Sequence, residues 1–125
     1  MSGLTGRRIL IVEDEMLIAL MLQGMLEALG YQVAGRARTV ADALAMIETG
    51  TLGIDAATLD FNLGGEHANA VAHALEAHGI PFIITTGYDD PKLFGFEGWP
   101  IVRKPFLPEQ LEQALQSLEP LGGGR

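Results

Sequence analysis

The sequence predicts a single α/β domain built as a doubly wound, five-stranded parallel sheet. Two features of its organisation predict this. The chain has 125 residues, 48% of them apolar, which suits one domain with one sizeable core. From Arg8 onward, short β-branched runs alternate with helical patterns five times, as strands do when crossover helices cover both faces of a sheet.

Taken in order, strands are expected at 9–12, 32–37, 54–59, 81–85 and 100–103, and helices at 15–29, 40–48, 68–78 and 109–118. Gly30, Gly50 and Gly79 punctuate helix ends, and the last helix follows Pro105 and Pro108. The interval 89–98 breaks the rhythm. It carries Pro91, Gly95 and Gly98 where a fourth crossover helix is needed, so that helix is expected to be short or irregular. There is no solenoid-type repeat, low-complexity stretch or linker. The domain is therefore expected over 7–119, with flexible ends at 1–6 and 120–125.

Composition narrows the partners. Sixteen acidic residues against 8 basic ones give a net charge of -8, which disfavours nucleic acid and anionic membrane and favours a small cation or a basic protein surface. The chain has no cysteine, so it has neither disulfides nor a thiolate metal site. The apolar run 16–22 is too short to span a bilayer, and Arg7 and Arg8 lead into a β-like run and then acid rather than a signal peptide. A cytoplasmic location is expected.

In a right-handed βαβ series all strand C-termini open on one edge, where such sheets bind ligands. The first strand is followed by Glu13 and Asp14, the third by Asp60, the fourth by Thr86 and the fifth by Lys104. Three carboxylates, a hydroxyl and an ammonium thus converge from distant positions. Close carboxylates repel one another, and a hard divalent cation, Mg2+ or Mn2+, relieves that repulsion while leaving positions for phosphate oxygens. The Asp60 carboxylate can then attack a phosphoryl group whose oxygens are neutralised by the metal, Lys104 and Thr86.

Singly, each residue also has a plainer role. Asp14 fits a helix cap, Glu13 a solvated acid, Asp60 and Thr86 turn residues, and Lys104 a surface lysine. It is their joint placement on one edge that favours the phosphoryl-transfer site.

The segments 9–15 (Ile-Leu-Ile-Val-Glu-Asp-Glu), 59–63 (Leu-Asp-Phe-Asn-Leu), 84–87 (Ile-Thr-Thr-Gly) and 104–106 (Lys-Pro-Phe), in this order and at these intervals, resemble the receiver domain of two-component response regulators from about Arg7 to Leu118. The resemblance implies a flavodoxin-like strand order 2-1-3-4-5, Asp60 as phospho-acceptor, and Glu13, Asp14 and Asp60 as metal ligands. It further implies that the Asn62 backbone carbonyl completes the metal site, that Thr86 and Lys104 contact phosphoryl oxygens, and that the Lys104–Pro105 bond is cis.

Two departures stand out. Ile101 occupies the position, three before the lysine, where receivers commonly carry a switching Tyr or Phe, and no proline follows Leu63. With the run 82–88 (Phe-Ile-Ile-Thr-Thr-Gly-Tyr), these features are similar to a subgroup named for its Phe-Ala-Thr-Gly-x-Tyr stretch, from which Ile83, Thr85 and the spacing of Tyr88 depart. That resemblance implies a stand-alone phosphorelay protein fed by a sensor histidine kinase, such as one of the HWE and related classes, or by a histidine phosphotransfer protein. Output is then expected through a downstream protein target or by acting as a phosphate sink.

The first helix is unusually apolar. Gln23 and Glu27 mark its outer face, where Met16 and Leu20 also fall and form a candidate docking stripe for a partner, whereas Ile18, Met21, Leu22, Met25 and Leu29 are expected in the core. His67, His73 and His78 are not read as a metal site, since His67 and His78 are about 16 Å apart if they share one helix. Phe94, Phe96 and Trp99 cluster near the irregular crossover, where core packing is the default role. A haloacid-dehalogenase-type phosphohydrolase needs an acid at position 62, which is Asn, and the chain is short for the cap of such an enzyme; a receiver that binds a partner without being phosphorylated is the other alternative. No G-x-x-x-x-G-K-[ST] loop is present.

Overall fold

The computed structural model describes residues 6–63, 66–87 and 98–118. Along the chain run β1 (Arg8–Val12), α1 (Met16–Ala28), β2 (Gln32–Ala37), α2 (Val40–Thr49), β3 (Ala56–Asp60), β4 (Asn62–Leu63), β5 (Glu66–His67), α3 (Asn69–Ala77), β6 (Phe82–Thr86), β7 (Ile101–Arg103) and α4 (Pro108–Gln116). Five strands form one parallel sheet in the order β2-β1-β3-β6-β7, which is 2-1-3-4-5 when only its own strands are counted.

Side-chain alternation along each strand sorts the core into two layers. Leu10, Val12, Ala57, Leu59, Phe82 and Ile84 pack on one face against Ala43 and Ile47 of α2 and Val71 and Leu75 of α3. Ile9, Ile11, Ala56, Ile83 and Val102 pack on the other against α1 and α4, through Ala19, Leu22, Leu26, Leu111 and Leu115. Because both faces are covered, β3 and β6 are buried along their whole length, as continuous apolar strands of a parallel sheet should be. Arg8 fastens the opposite edge of the sheet, its backbone N–H donating to Asp55 Oδ2 at 2.8 Å and its Nε to the Leu52 carbonyl at 2.7 Å.

The caps follow local chemistry. Thr39 accepts from the Asp42 N–H at 3.0 Å at the start of α2, and Gly50 ends that helix at φ +69°. At the start of α4 the Gln110 side chain accepts from the Leu107 N–H at 2.7 Å, half of a capping box, since Leu107 has no acceptor to return the bond.

Several expectations need correction. The turn expected after Asp60 includes an antiparallel hairpin, β4 paired with β5, and the Gly64-Gly65 pair between two short runs was the available signal for it. His67 therefore lies on β5 and not on the helix with His78, while His73 and His78 are exposed. Met21 is 42% exposed instead of buried, and Leu26, at 0%, takes the core position beside Leu22. The expected short fourth crossover helix, together with Phe94, Phe96 and both chain ends, lies outside the described residues.

Two glycine substitutions should move stability in opposite directions. Gly24 lies inside α1 with nothing within 4 Å of an added Cβ, so Gly24→Ala should stabilise by about 0.5–1 kcal/mol. Gly50→Ala forces a Cβ into the left-handed region and should destabilise by about 1 kcal/mol. Urea denaturation of the two variants checks both signs.

Candidate functional site

The parallel topology delivers the acidic groups to one edge. Glu13 follows β1 directly, its N–H bonded to the Ala37 carbonyl of β2 at 2.9 Å, and its Oε2 accepts from the Glu15 N–H at 3.2 Å. Asp60 is the last residue of β3, and its N-terminal neighbours on that strand are buried on both sides, so the carboxylate is carried on a rigid stem. Glu13 and Asp60 are almost fully buried and Asp14 is half-buried. One oxygen from each of Glu13, Asp14 and Asp60 lies within 4.8 Å of the others.

Lys104 completes the cluster. It follows β7, which is separated from β3 by β6, so its ammonium must reach across a gap of about 10 Å, twice the interstrand spacing. A long flexible stem suits that reach. Its Nζ sits 2.9 Å from Glu13 Oε1 and 3.4 Å from Asp60 Oδ2. Burial by itself lowers the Lys104 pKa, but the contacts with Glu13 and Asp60 outweigh it and raise the pKa above the ordinary lysine value, so the ammonium stays charged. The Lys104–Pro105 peptide is cis, as the resemblance implied, and the Lys104 N–H donates to the Thr86 carbonyl at 2.7 Å. Thr86 closes β6 beside this edge and is buried.

The donor set fits a hard divalent cation. Two oxygens on one magnesium lie at most about 4.2 Å apart, given bonds of about 2.1 Å, so the 4.8 Å cluster needs only a small contraction to hold the ion. All donors are oxygens, and no histidine takes part among the described residues. Of the expected site residues, Glu13, Asp14, Asp60 and Lys104 meet in one cluster, and Thr86 lies at the adjoining strand end. Asn62 begins β4 and is thereby held next to Asp60.

Other expected features are distributed as follows. Met16 and Leu20 are exposed on α1, at 44% and 46%, and are joined there by Leu17 and Met21, neither of which was expected in the stripe. Ile101 is 42% exposed on β7. Trp99 stacks on Phe82 with ring centroids 4.5 Å apart and donates from Nε1 to Glu76 Oε2 at 2.8 Å, which bears out a packing role. Sequence reasoning missed two buried hydroxyls, Thr58 Oγ1 and Thr85 Oγ1, which have no hydrogen-bond partner among the described residues. Leaving such a group unsatisfied costs about 1–3 kcal/mol.

Comparison with known proteins identifies relatives of this chain. Residues 9–116 match the model of the response regulator receiver domain. The chain is 34% identical over 110 residues to the phyllosphere-induced regulator PhyR of Methylorubrum extorquens, covering 86% of this chain and 41% of that protein. It is also 34% identical over 111 residues to the transcriptional regulatory protein YbdJ of Bacillus subtilis, covering 85% and 48% respectively. The chain thus spans less than half the length of these curated relatives. Among solved structures, SdrG from Sphingomonas melonis Fr1 is similar at 49% identity and a TM-score of 0.81, covering 94% of this chain and 98% of that one.

Substituting Lys104 removes the ammonium that touches both Glu13 and Asp60. Lys104→Met should therefore lower the melting temperature in metal-free buffer, and millimolar Mg2+ should raise the melting temperature of the variant more than that of the parent chain. Differential scanning calorimetry with and without Mg2+ tests this.

Proposed function

This chain belongs to the response regulator receiver domain family, and on that footing we propose that it is a phospho-acceptor switch that receives a phosphoryl group on Asp60 from a phosphohistidine donor. The observation that carries the proposal is the meeting of three carboxylates with the Lys104 ammonium at the sheet edge. The residues 7–119 form the receiver unit. A sensor histidine kinase, such as one of the HWE class, or a histidine phosphotransfer protein is the donor, and the setting is cytoplasmic. No helix among the described residues is long and apolar enough to cross a membrane.

Glu13, Asp14, Asp60 and the backbone carbonyl of Asn62 would hold a magnesium ion, which supplies positive charge to the oxygens of the incoming phosphoryl group. The β3 stem presents the Asp60 carboxylate in a fixed direction, so little orientational freedom is lost on reaction. An Asp60 oxygen forms a bond to phosphorus as the donor's phosphorus–nitrogen bond breaks, and the electron pair leaves with the imidazole nitrogen. Lys104 then exchanges its contact with Asp60 for the phosphoryl oxygens, and the Thr86 hydroxyl donates to another of them. The added charge shifts the groups around β6 and β7, and the output is a contact with a protein target or the draining of phosphate from the donor.

A phosphohydrolase is disfavoured because position 62 is Asn, so no acid stands two residues after Asp60 to protonate a leaving group.

Incubation with Mg2+ and a small phosphoryl donor such as acetyl phosphate should add one phosphoryl mass to the chain and none to Asp60→Asn. An unmodified parent chain would leave a partner-binding role without phosphorylation as the surviving alternative. For docking, Met16→Glu with Leu20→Glu should slow transfer from the cognate phosphohistidine protein at least tenfold while leaving acetyl phosphate uptake unchanged, since both residues are exposed on α1 and outside the acidic cluster. Equal loss of both activities contradicts the docking assignment.

A further inference from the structure

Thr58 and Thr85 form a natural matched pair. Each is 1% exposed, each lies within a sheet strand, and neither hydroxyl has a partner among the described residues. They also share a face. Ala57 and Leu59 on β3, and Ile84 on β6, point toward α2 and α3, so by alternation Thr58, Asp60 and Thr85 point the other way, with Ile83 and Val102. What differs is the company at their level of the sheet. Thr58 is flanked in register by Ile11 on β1 and Ile83 on β6, and is therefore enclosed by hydrocarbon. Thr85 is flanked in register by Asp60 on β3 and Val102 on β7, which places its side chain beside the acid. The Lys104 stem has to cross this part of β6 to bring Nζ to Asp60.

A hydroxyl left dry beside an acid whose oxygen is already taken by an ammonium has no acceptor in this arrangement, and a change of arrangement can supply one. The inference rests on phosphorylation of Asp60. Once Asp60 becomes an acyl phosphate, one of its oxygens bridges to phosphorus and the other becomes a neutral carbonyl. Lys104 is then drawn to the phosphoryl oxygens, where the negative charge is concentrated. The carbonyl it leaves is a hydrogen-bond acceptor on the face that Thr85 occupies. We propose that the Thr85 hydroxyl donates to the Asp60 acyl carbonyl in the phosphorylated state, so that Thr85 is a positioning residue that favours that state, while Thr58 is a structural threonine with no such role. Position 85 is also a place where this chain departs from the Phe-Ala-Thr-Gly-x-Tyr pattern, which has no hydroxyl there. Thr85 thus supplies an interaction that does not depend on an aromatic at position 101, where this chain has Ile.

The test compares Thr85→Val, Thr85→Ser and Thr58→Val in the full chain, each loaded with acetyl phosphate and Mg2+ and followed by intact mass after donor removal. Both valine variants should raise the melting temperature of the unmodified protein, because each removes a dry hydroxyl without changing shape. Thr85→Val alone should load less at equilibrium and lose its phosphoryl group about fivefold faster, the scale of one net hydrogen bond. Thr85→Ser should restore the parent lifetime. A Thr85→Val lifetime equal to that of the parent, or a Thr58→Val lifetime shortened as much, overturns the proposal. If Thr85→Val does not fold, Thr85→Ala against Thr85→Ser makes the same comparison, and equal lifetimes in that pair overturn it too. Failure of the parent chain itself to take up phosphate defeats the phospho-acceptor assignment instead, so the two failures are distinct.

Discussion

Three carboxylates held within 4.8 Å of one another are an electrostatic load, and the arrangement of the whole domain follows from where that load sits. In this structure Lys104 carries the compensating charge, touching Asp60 from a strand two places away and Glu13 from one three places away. The contact is possible only because β1, β3, β6 and β7 run parallel and end at one level. A shift of one residue in register between β3 and β6 would turn Asp60 away from this face and leave the ammonium without it. The fully buried central strands make such a slip expensive, so the packing of the core and the charge of the site are coupled.

The same constraint explains the division of labour between the two faces. The core of the α2 and α3 face is built on Leu10, Val12, Leu59 and Phe82. The α1 and α4 face carries the polar groups as well as the apolar ones, with Thr58 and Thr85 inside it and Glu13, Asp60 and Lys104 at its edge. The exposed apolar residues of α1, Met16, Leu17, Leu20 and Met21, stand outside that same face.

Much of this was legible in the sequence because it depends on local pattern. The continuous runs at 9–12 and 82–85 read as strands covered on both sides, and an acid or hydroxyl at the end of each run marked the candidate site. Strand ends erred by a residue or two, since hydrogen bonding and not composition decides where pairing stops. Met21 was misplaced because α1 is apolar nearly all round, so periodicity alone could not choose between Met21 and Leu26 for the core. The hairpin after Asp60 was missed because two-residue strands carry almost no period. Thr58 and Thr85 were invisible as a pair, because their shared face and different neighbours arise from register across four strands, which no single run records.

The central claim is that Glu13, Asp14 and Asp60 form one cation pocket, and paramagnetic line broadening tests it most directly. Substoichiometric Mn2+ added to the 15N-labelled chain should broaden first the amide signals of residues 12–15 and 59–62, in a sphere centred on the three carboxylates, and excess Mg2+ should reverse the broadening. Broadening centred on another acidic region of the surface, or spread evenly over the chain, would contradict the account.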